Sequence, residues 1–411
     1  MVETLLNNKK LTVSPHPPYD ALQAFVRENH IALEGAAKGP LKGMAFAVKD
    51  VFDIVGSTYS NGHPAWLHTH EPATETSSFI VNMLEAGADL VGKTICDELC
   101  YSISGENWNY GSPINPHDTR RYCGGSSSGT GAATAGGYVD VAFGSDCLGS
   151  VRVPAAYNGV LGIRPTLYRV DNSGEAPYCK SMDVLGFVAK EPTVFEQVTE
   201  FILGQDLHQT TLKRLFIPTD ILNVVDSDVR KHVQKSIEFI KGYFDEVVEG
   251  SICNGDLNDW VKVFQHIQGY EVWESYGGWI RKYRPQLSEG PGSRLEWAST
   301  INYAQYQAAL KAREEIIAQV DQVIGEDTVV VLPTAASIAP LRTATEEFIN
   351  HTRLQSSQLL CVSPLSGVPQ VTMPLATMED VPLGISFLSP RQSDLQLVRL
   401  AARITQDYIN T

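Results

Sequence analysis

The sequence predicts an α/β fold built on a single large mixed β-sheet with helices packed against it. Three observations carry this reading. The chain has 411 residues, of which 43% are hydrophobic and 19% charged, an ordinary balance for a soluble protein able to bury a sizeable core. Apolar runs of strand length alternate along it with segments of helical period. No internal repeat and no persistent low-complexity run interrupts the alternation. The length alone is compatible with two domains, but the continuity of the pattern favours one.

Taken in order, the polar, proline-containing start is followed by a short helix expected at residues 22–29. GMAFAVKD then places a strand at 44–48, which sets Lys49 just past its buried end. In TSSFIVNMLEA (76–86) hydroxyl residues open a run with apolar side chains at helical spacing, and LVGKTI (90–95) follows as a strand. GGSSSGTGAATAGG (124–137) is too rich in alanine at its end for a plain linker and runs into VDVAFGSD, giving a loop, a helix and a strand. Val229, Val233, Ile237, Ile240 and Phe244 recur every three or four residues, marking an amphipathic helix whose Lys- and Arg-rich face is solvated. Residues 260–279 and 303–324 read as aromatic-rich helices, and TVVVLPT (328–334) as a buried strand ending in a proline turn. QVTMP, LGISFLS and a helix from Ser393 close the alternation.

Charge and cysteine usage narrow the function classes. A net charge of −15 argues against a polyanionic partner such as nucleic acid and against docking on an acidic membrane, so a small-molecule substrate fits better. The seven cysteines are odd in number, scattered and without a CxxC pair, which suggests neither a disulfide framework nor a zinc site. A reducing cytoplasm is the expectation, and no stretch approaches the ~18 apolar residues needed to span a bilayer. His68 and His70 form an HTH pair in a Pro/Thr-rich loop, better read as exposed histidines than as metal ligands. Trp66, Trp260, Trp273 and Trp279 read mainly as core. No cofactor motif is present: the glycine-rich loop lacks the GK[ST] of a phosphate loop.

The informative stretch is CGGSSSGTGAATAGGYVDVAFGSDCLGSVRVPAAYNGVLGIRPT, Cys123 to Thr166. Alone, GGSSSG would read as a linker. Gly125 to Gly129 also spells G-x-S-x-G centred on Ser127, but HDTRRYCG ahead of it does not read as the strand that a nucleophile elbow requires. Ser150 follows Ser126 by 24 residues, and Lys49 lies upstream in AVKD. With SMDVLGF, SGVPQVTMPL and PLGISFL further along, this pattern strongly resembles the amidase signature family over roughly residues 40–409. The resemblance implies the family's fold, with helices on both faces of the sheet. It also implies a single domain over 1–411, with the signature core at about 44–190 and residues 191–411 completing sheet and pocket.

By the same resemblance Ser150 is the nucleophile, Ser126 the bridging serine after a cis peptide bond at Gly125-Ser126, and Lys49 the base. The chemistry is consistent, because a serine hydroxyl needs a neighbouring base, and a lysine is one only when neutral. The expectation is therefore a Lys49 pKa below the free value of about 10.4. Backbone amides of the run Cys147, Leu148, Gly149, Ser150 would hold the oxyanion. Leu148 stands where the family usually has glycine, so a positive φ there would strain it. Ser127, Asp146 and Arg152 are expected to hold the loop and turn. DELCYSISGENWNYGSPINP, GHPAWLHTHEPAT and EGPGSRL resemble pieces of short plant-type indole-3-acetamide hydrolases, which makes an arylacetamide or similar small amide, cleaved to acid and ammonia, the implied substrate. Three other readings stand beside it: a glutaminase subunit of a transamidation complex, an acyltransferase using the same acyl-enzyme, and a non-catalytic binding relative. The assembly is open between monomer and homodimer.

Overall fold

Short runs rich in Val, Phe, Ile and Ala become strands wherever both of their faces can be buried. The computed structural model describes residues 12–13 and 20–410. In chain order its strands are β1 (Thr12–Val13), β2 (Ile31–Ala32), β3 (Ala45–Lys49), β4 (Asp89–Thr94), β5 (Val141–Asp146), β6 (Leu161–Arg164), β7 (Val184–Ala189), β8 (Arg214–Pro218), β9 (Glu246–Gly250), β10 (Thr328–Pro333), β11 (Gln370–Met378) and β12 (Val381–Leu388). Ten of them form one sheet in the order β4-β3-β5-β7-β6-β11-β12-β10-β8-β9. The sheet is mixed. The two flanks, β4-β3-β5 and β10-β8-β9, are parallel. The middle, from β5 through β7, β6, β11 and β12 to β10, is antiparallel.

Both faces of the sheet are covered, and the alternation along β5 and β7 shows it. Val141 and Phe143 belong to one apolar cluster with Phe187, whose ring meets Phe195 of helix Pro192–Leu203. Ala142 and Val188 belong to a second, with Ala132 and Ala133 of helix Ser128–Ala135 and Ala155 of helix Arg152–Tyr157. The small residues of GTGAATA let that helix approach the sheet closely. The long helices Leu257–Tyr283 and Tyr303–Ile324 and helix Glu346–Leu360 lie in the second half of the chain, where Trp260 and Trp279 are buried. Among the described residues no helix is long and apolar enough to cross a membrane.

Two sequence expectations need correction. Residues 22–29 do not form a helix. The Asp20 carboxylate accepts the amides of Ala24 and Phe25, Phe25 pairs antiparallel with Thr94, and the Val26 amide donates to Lys93 O. The segment covers the edge strand β4, whose open hydrogen-bonding side outweighs a modest local helical preference. His68 sits on the short helix Pro64–Thr69 rather than in a loop, its ring 3.1 Å from Glu28, while His70 stacks on Trp66.

Candidate active site

The site forms where β3 and β5 end side by side. β3 is buried along its length and delivers Lys49, fully buried, at its last position. Its Nζ donates to Ser126 Oγ and to Ser145 Oγ, each at 2.8 Å. Ser126 lies in the loop before helix Ser128–Ala135, after a cis Gly125-Ser126 bond. Glycine is required at 125 because a Cβ there would meet the Asp97 carboxylate at 2.1 Å. The loop is tied to the next turn by the Ser127 amide, which donates to Ser150 O at 3.1 Å. Ser127 itself is buried, its hydroxyl 3.4 Å from Ser145 O.

The turn of residues 147–151 is held by Asp146. Its carboxylate accepts the amides of Val151 and Arg152 and takes Arg152 in a two-point pair at 3.0 and 2.8 Å. Arg164 donates to the Asp146 carbonyl. Burial alone would push the Asp146 carboxyl up, but the two guanidiniums hold it at about 2. With Asp146 engaging the amides on the far side, those of Leu148, Gly149 and Ser150 donate to no acceptor among the described residues. Gly149 is packed against Leu360 and Val153, and a Cβ there would come within 2.8 Å of the Leu360 side chain. Leu148 does not take a positive φ, so the strain expected of it is absent. Its carbonyl accepts from Arg152 at 2.7 Å, and its side chain lines a cavity of about 350 Å³.

Ser150 opens into that same cavity, together with Cys100, Tyr101, Tyr178 and Gln268. Gln268 donates to Tyr178 OH at 3.2 Å. These wall residues come from distant parts of the chain and were not singled out from the sequence. Neither were Ser145 and the acids around Lys49. Burial pulls the Lys49 amine down, but Cys100, Cys96, Asp183 and Glu175 push it up and prevail. The expected lowering of the Lys49 pKa is therefore reversed, because burial was counted without the acidic neighbours that share it. Those neighbours are themselves perturbed. Burial lifts Asp183 to about 6, and it lifts Glu175, whose carboxyl lies against Ser145 and Asp183, well above the carboxylate range. For Cys100 burial acts upward, but its hydrogen bond with Cys96 and the nearby Lys49 bring the thiol to about 7. Asp97, packed under Gly125, is also lifted by burial to about 6, and its Oδ1 has no hydrogen-bond partner among the described residues. No cluster of three or more His, Cys, Asp or Glu able to hold a metal occurs among the described residues.

Comparison with known proteins agrees with this architecture. A family model described as Amidase matches residues 17–242. The chain is 31% identical to Amidase 1 of Arabidopsis thaliana, an alignment that covers 92% of this chain and 96% of that one. It is also 31% identical to the translocon at the outer membrane of chloroplasts 64 of Pisum sativum, where 87% of this chain matches and it spans 65% of the relative's length. The fold superposes on the crystal structure of an amidase with a TM-score of 0.81 at 25% identity, over 90% of this chain and 86% of the other. The chain belongs to the amidase family of enzymes.

Proposed function

We propose that this chain is a serine amidohydrolase that cleaves a small carboxamide, an arylacetamide being one candidate, through an acyl-enzyme on Ser150. The observation that carries the reading is the buried Lys49 amine 2.8 Å from Ser126 Oγ, on a loop bonded through its backbone to the Ser150 turn. In the reaction Ser150 Oγ bonds to the amide carbon, and its proton passes to Ser126 while the proton of Ser126 passes to a neutral Lys49. The oxyanion is held by the unengaged amides of the 148–150 turn. Collapse breaks the C–N bond as a proton returns through Ser126 to the leaving nitrogen. Water then attacks the acyl carbon by the same relay and releases the acid. Acidic neighbours favour the Lys49 ammonium at rest, so kcat/KM rises with pH as that proton is lost. Seven free, buried cysteines support a reducing compartment such as the cytoplasm.

The test is covalent labelling. A fluorophosphonate should modify Ser150, located by mass spectrometry of the digested adduct, and the Ser150→Ala protein should take up no label. A label on Ser127 instead would replace this mechanism with one built on the G-x-S-x-G sequence.

A further inference from the structure

We infer that the substrate carries a carboxylate at the end remote from the scissile amide, received by Arg294 and Arg353. The inference rests on the amidohydrolase reading and deepens it. Both arginines line the cavity into which Ser150 opens, one from helix Glu289–Ala298 and the other from helix Glu346–Leu360. Arg294 Nε donates to Tyr101 O at 2.7 Å, and its guanidinium lies 5.7 Å from the centre of the Tyr101 ring, which fixes the group in the wall. Arg353 makes no side-chain hydrogen bond to the described residues.

Other buried arginines of the chain are more fully engaged than this pair. Arg152 and Arg164 meet Asp146, Arg169 meets Asp206 and Asp394, and the buried Arg313 donates to three carbonyls. Among the described residues neither Arg294 nor Arg353 pairs with a carboxylate, in a chain that has 47 acidic residues to offer. Burial draws both guanidiniums below the usual arginine range, and Arg353 adds its repulsion to Arg294. Two partly buried cations lining one cavity are costly unless an anion arrives to share them. A planar guanidinium suits a carboxylate, which it can hold through two parallel hydrogen bonds.

A neutral amide leaves this cost in place, whereas an acid amide removes it. The same cavity is lined by the apolar and aromatic side chains of Phe264, Trp297, Leu148 and Leu354. The class that fits is the monoamide of a small dicarboxylic acid with an aromatic or aliphatic spacer. A cavity of about 350 Å³ is of a size to take such a molecule.

The experiment measures ammonia release from two matched pairs: 4-(carboxymethyl)phenylacetamide against phenylacetamide, and adipamic acid against hexanamide. The acid member of at least one pair should show a kcat/KM higher by on the order of 10- to 100-fold, as for a charge-assisted contact. In Arg353→Gln and Arg294→Gln that ratio should fall at least about tenfold, and Arg353→Lys should keep more of it than Arg353→Gln. Because the ratio is internal to each variant, partial misfolding cancels from it. Equal kcat/KM within both pairs, or a ratio untouched by either glutamine, overturns the inference while leaving the amidohydrolase intact. Ammonia from none of the four amides overturns the amidohydrolase reading instead. Calorimetry of the same acid and neutral amides against Ser150→Ala then decides the arginines: tighter binding of the acids upholds them, and equal or undetectable binding of both sinks them.

Discussion

Ser145 and Asp146 are consecutive residues at the end of β5, yet they serve two buried ionic clusters of opposite character. Around Asp146 two cations outnumber the one carboxylate and both of its oxygens are hydrogen-bonded, so the carboxylate is held at about 2 and two guanidiniums lock the turn that carries Ser150. Around Ser145 the balance runs the other way. One lysine faces two carboxyls and two thiols, Asp183 is lifted to about 6, Cys100 is brought to about 7, and the Lys49 amine is pushed up by acids that share its burial. The difference teaches where to look for chemistry. A satisfied buried cluster resists any change of protonation, while an under-compensated one has several protonation states close in energy and can pass a proton.

The largest effect that would break this comparison is on Lys49. Lys49→Met should lower kcat/KM for an amide by about 10²- to 10⁴-fold, the usual contribution of a positioned base. Thermal unfolding should move little, because Asp183 and Glu175, already lifted toward their neutral forms, can take up protons when the ammonium is gone. An active Lys49→Met enzyme, or one that fails to fold, would make Lys49 a structural counter-ion like Arg152.

The reverse behaviour is expected of Arg152. Arg152→Leu leaves Asp146 buried with only Arg164, and the fold should lose about 3–5 kcal/mol in urea unfolding. The sign with pH follows from the depressed pKa. Asp146 stands at about 2 against an ordinary 3.8, so its contribution is complete above 3.8 and is lost as pH falls through 2. Without Arg152 the folded-state value rises, and acid unfolding should begin at higher pH than in the wild type. Unchanged urea and acid midpoints would mean that the cluster is not what holds the turn.

The contrast between the clusters is also a contrast in what the sequence makes legible. Periodicity locates most of the helices and strands quoted above, since each depends on residues near one another in the chain. Helix 303–324 and strand β10 lie where spacing and β-branched residues place them. Residues 22–29 escape that logic because their partner, β4, is about seventy positions away and supplies backbone bonds that no local pattern encodes. The same holds for the site. Lys49, Ser126 and Ser150 were singled out through family resemblance, whereas the second Lys49 partner, Ser145, is 96 residues from it, and Glu175 and Asp183 carry no motif of their own. SMDVLGF was visible as a block, but nothing in it says that its acid lies near the lysine. The sign of the Lys49 shift was missed for this reason: burial can be inferred from one strand, and the charges that oppose it cannot.

The smallest and sharpest expectation concerns Glu175. In its ionised form it is one of the groups that raise the Lys49 pKa, and its carboxyl lies against Ser145, which takes the second hydrogen bond from Nζ. Replacing it by glutamine keeps a group able to hydrogen-bond to Ser145 and removes the charge. An ammonium loses its proton more readily when a nearby anion is taken away, so the rising limb of kcat/KM against pH should move to lower pH in Glu175→Gln. The gain should appear where the wild-type Glu175 is ionised, above its raised pKa, and there kcat/KM should increase. Asp183→Asn should shift the limb in the same direction, because Asp183 acts on Lys49 by the same Coulombic route. Matched profiles of wild type and both variants on one amide settle it. A limb that stays in place in both would separate the acids from the lysine energetically, and the second cluster would then be as inert as the first.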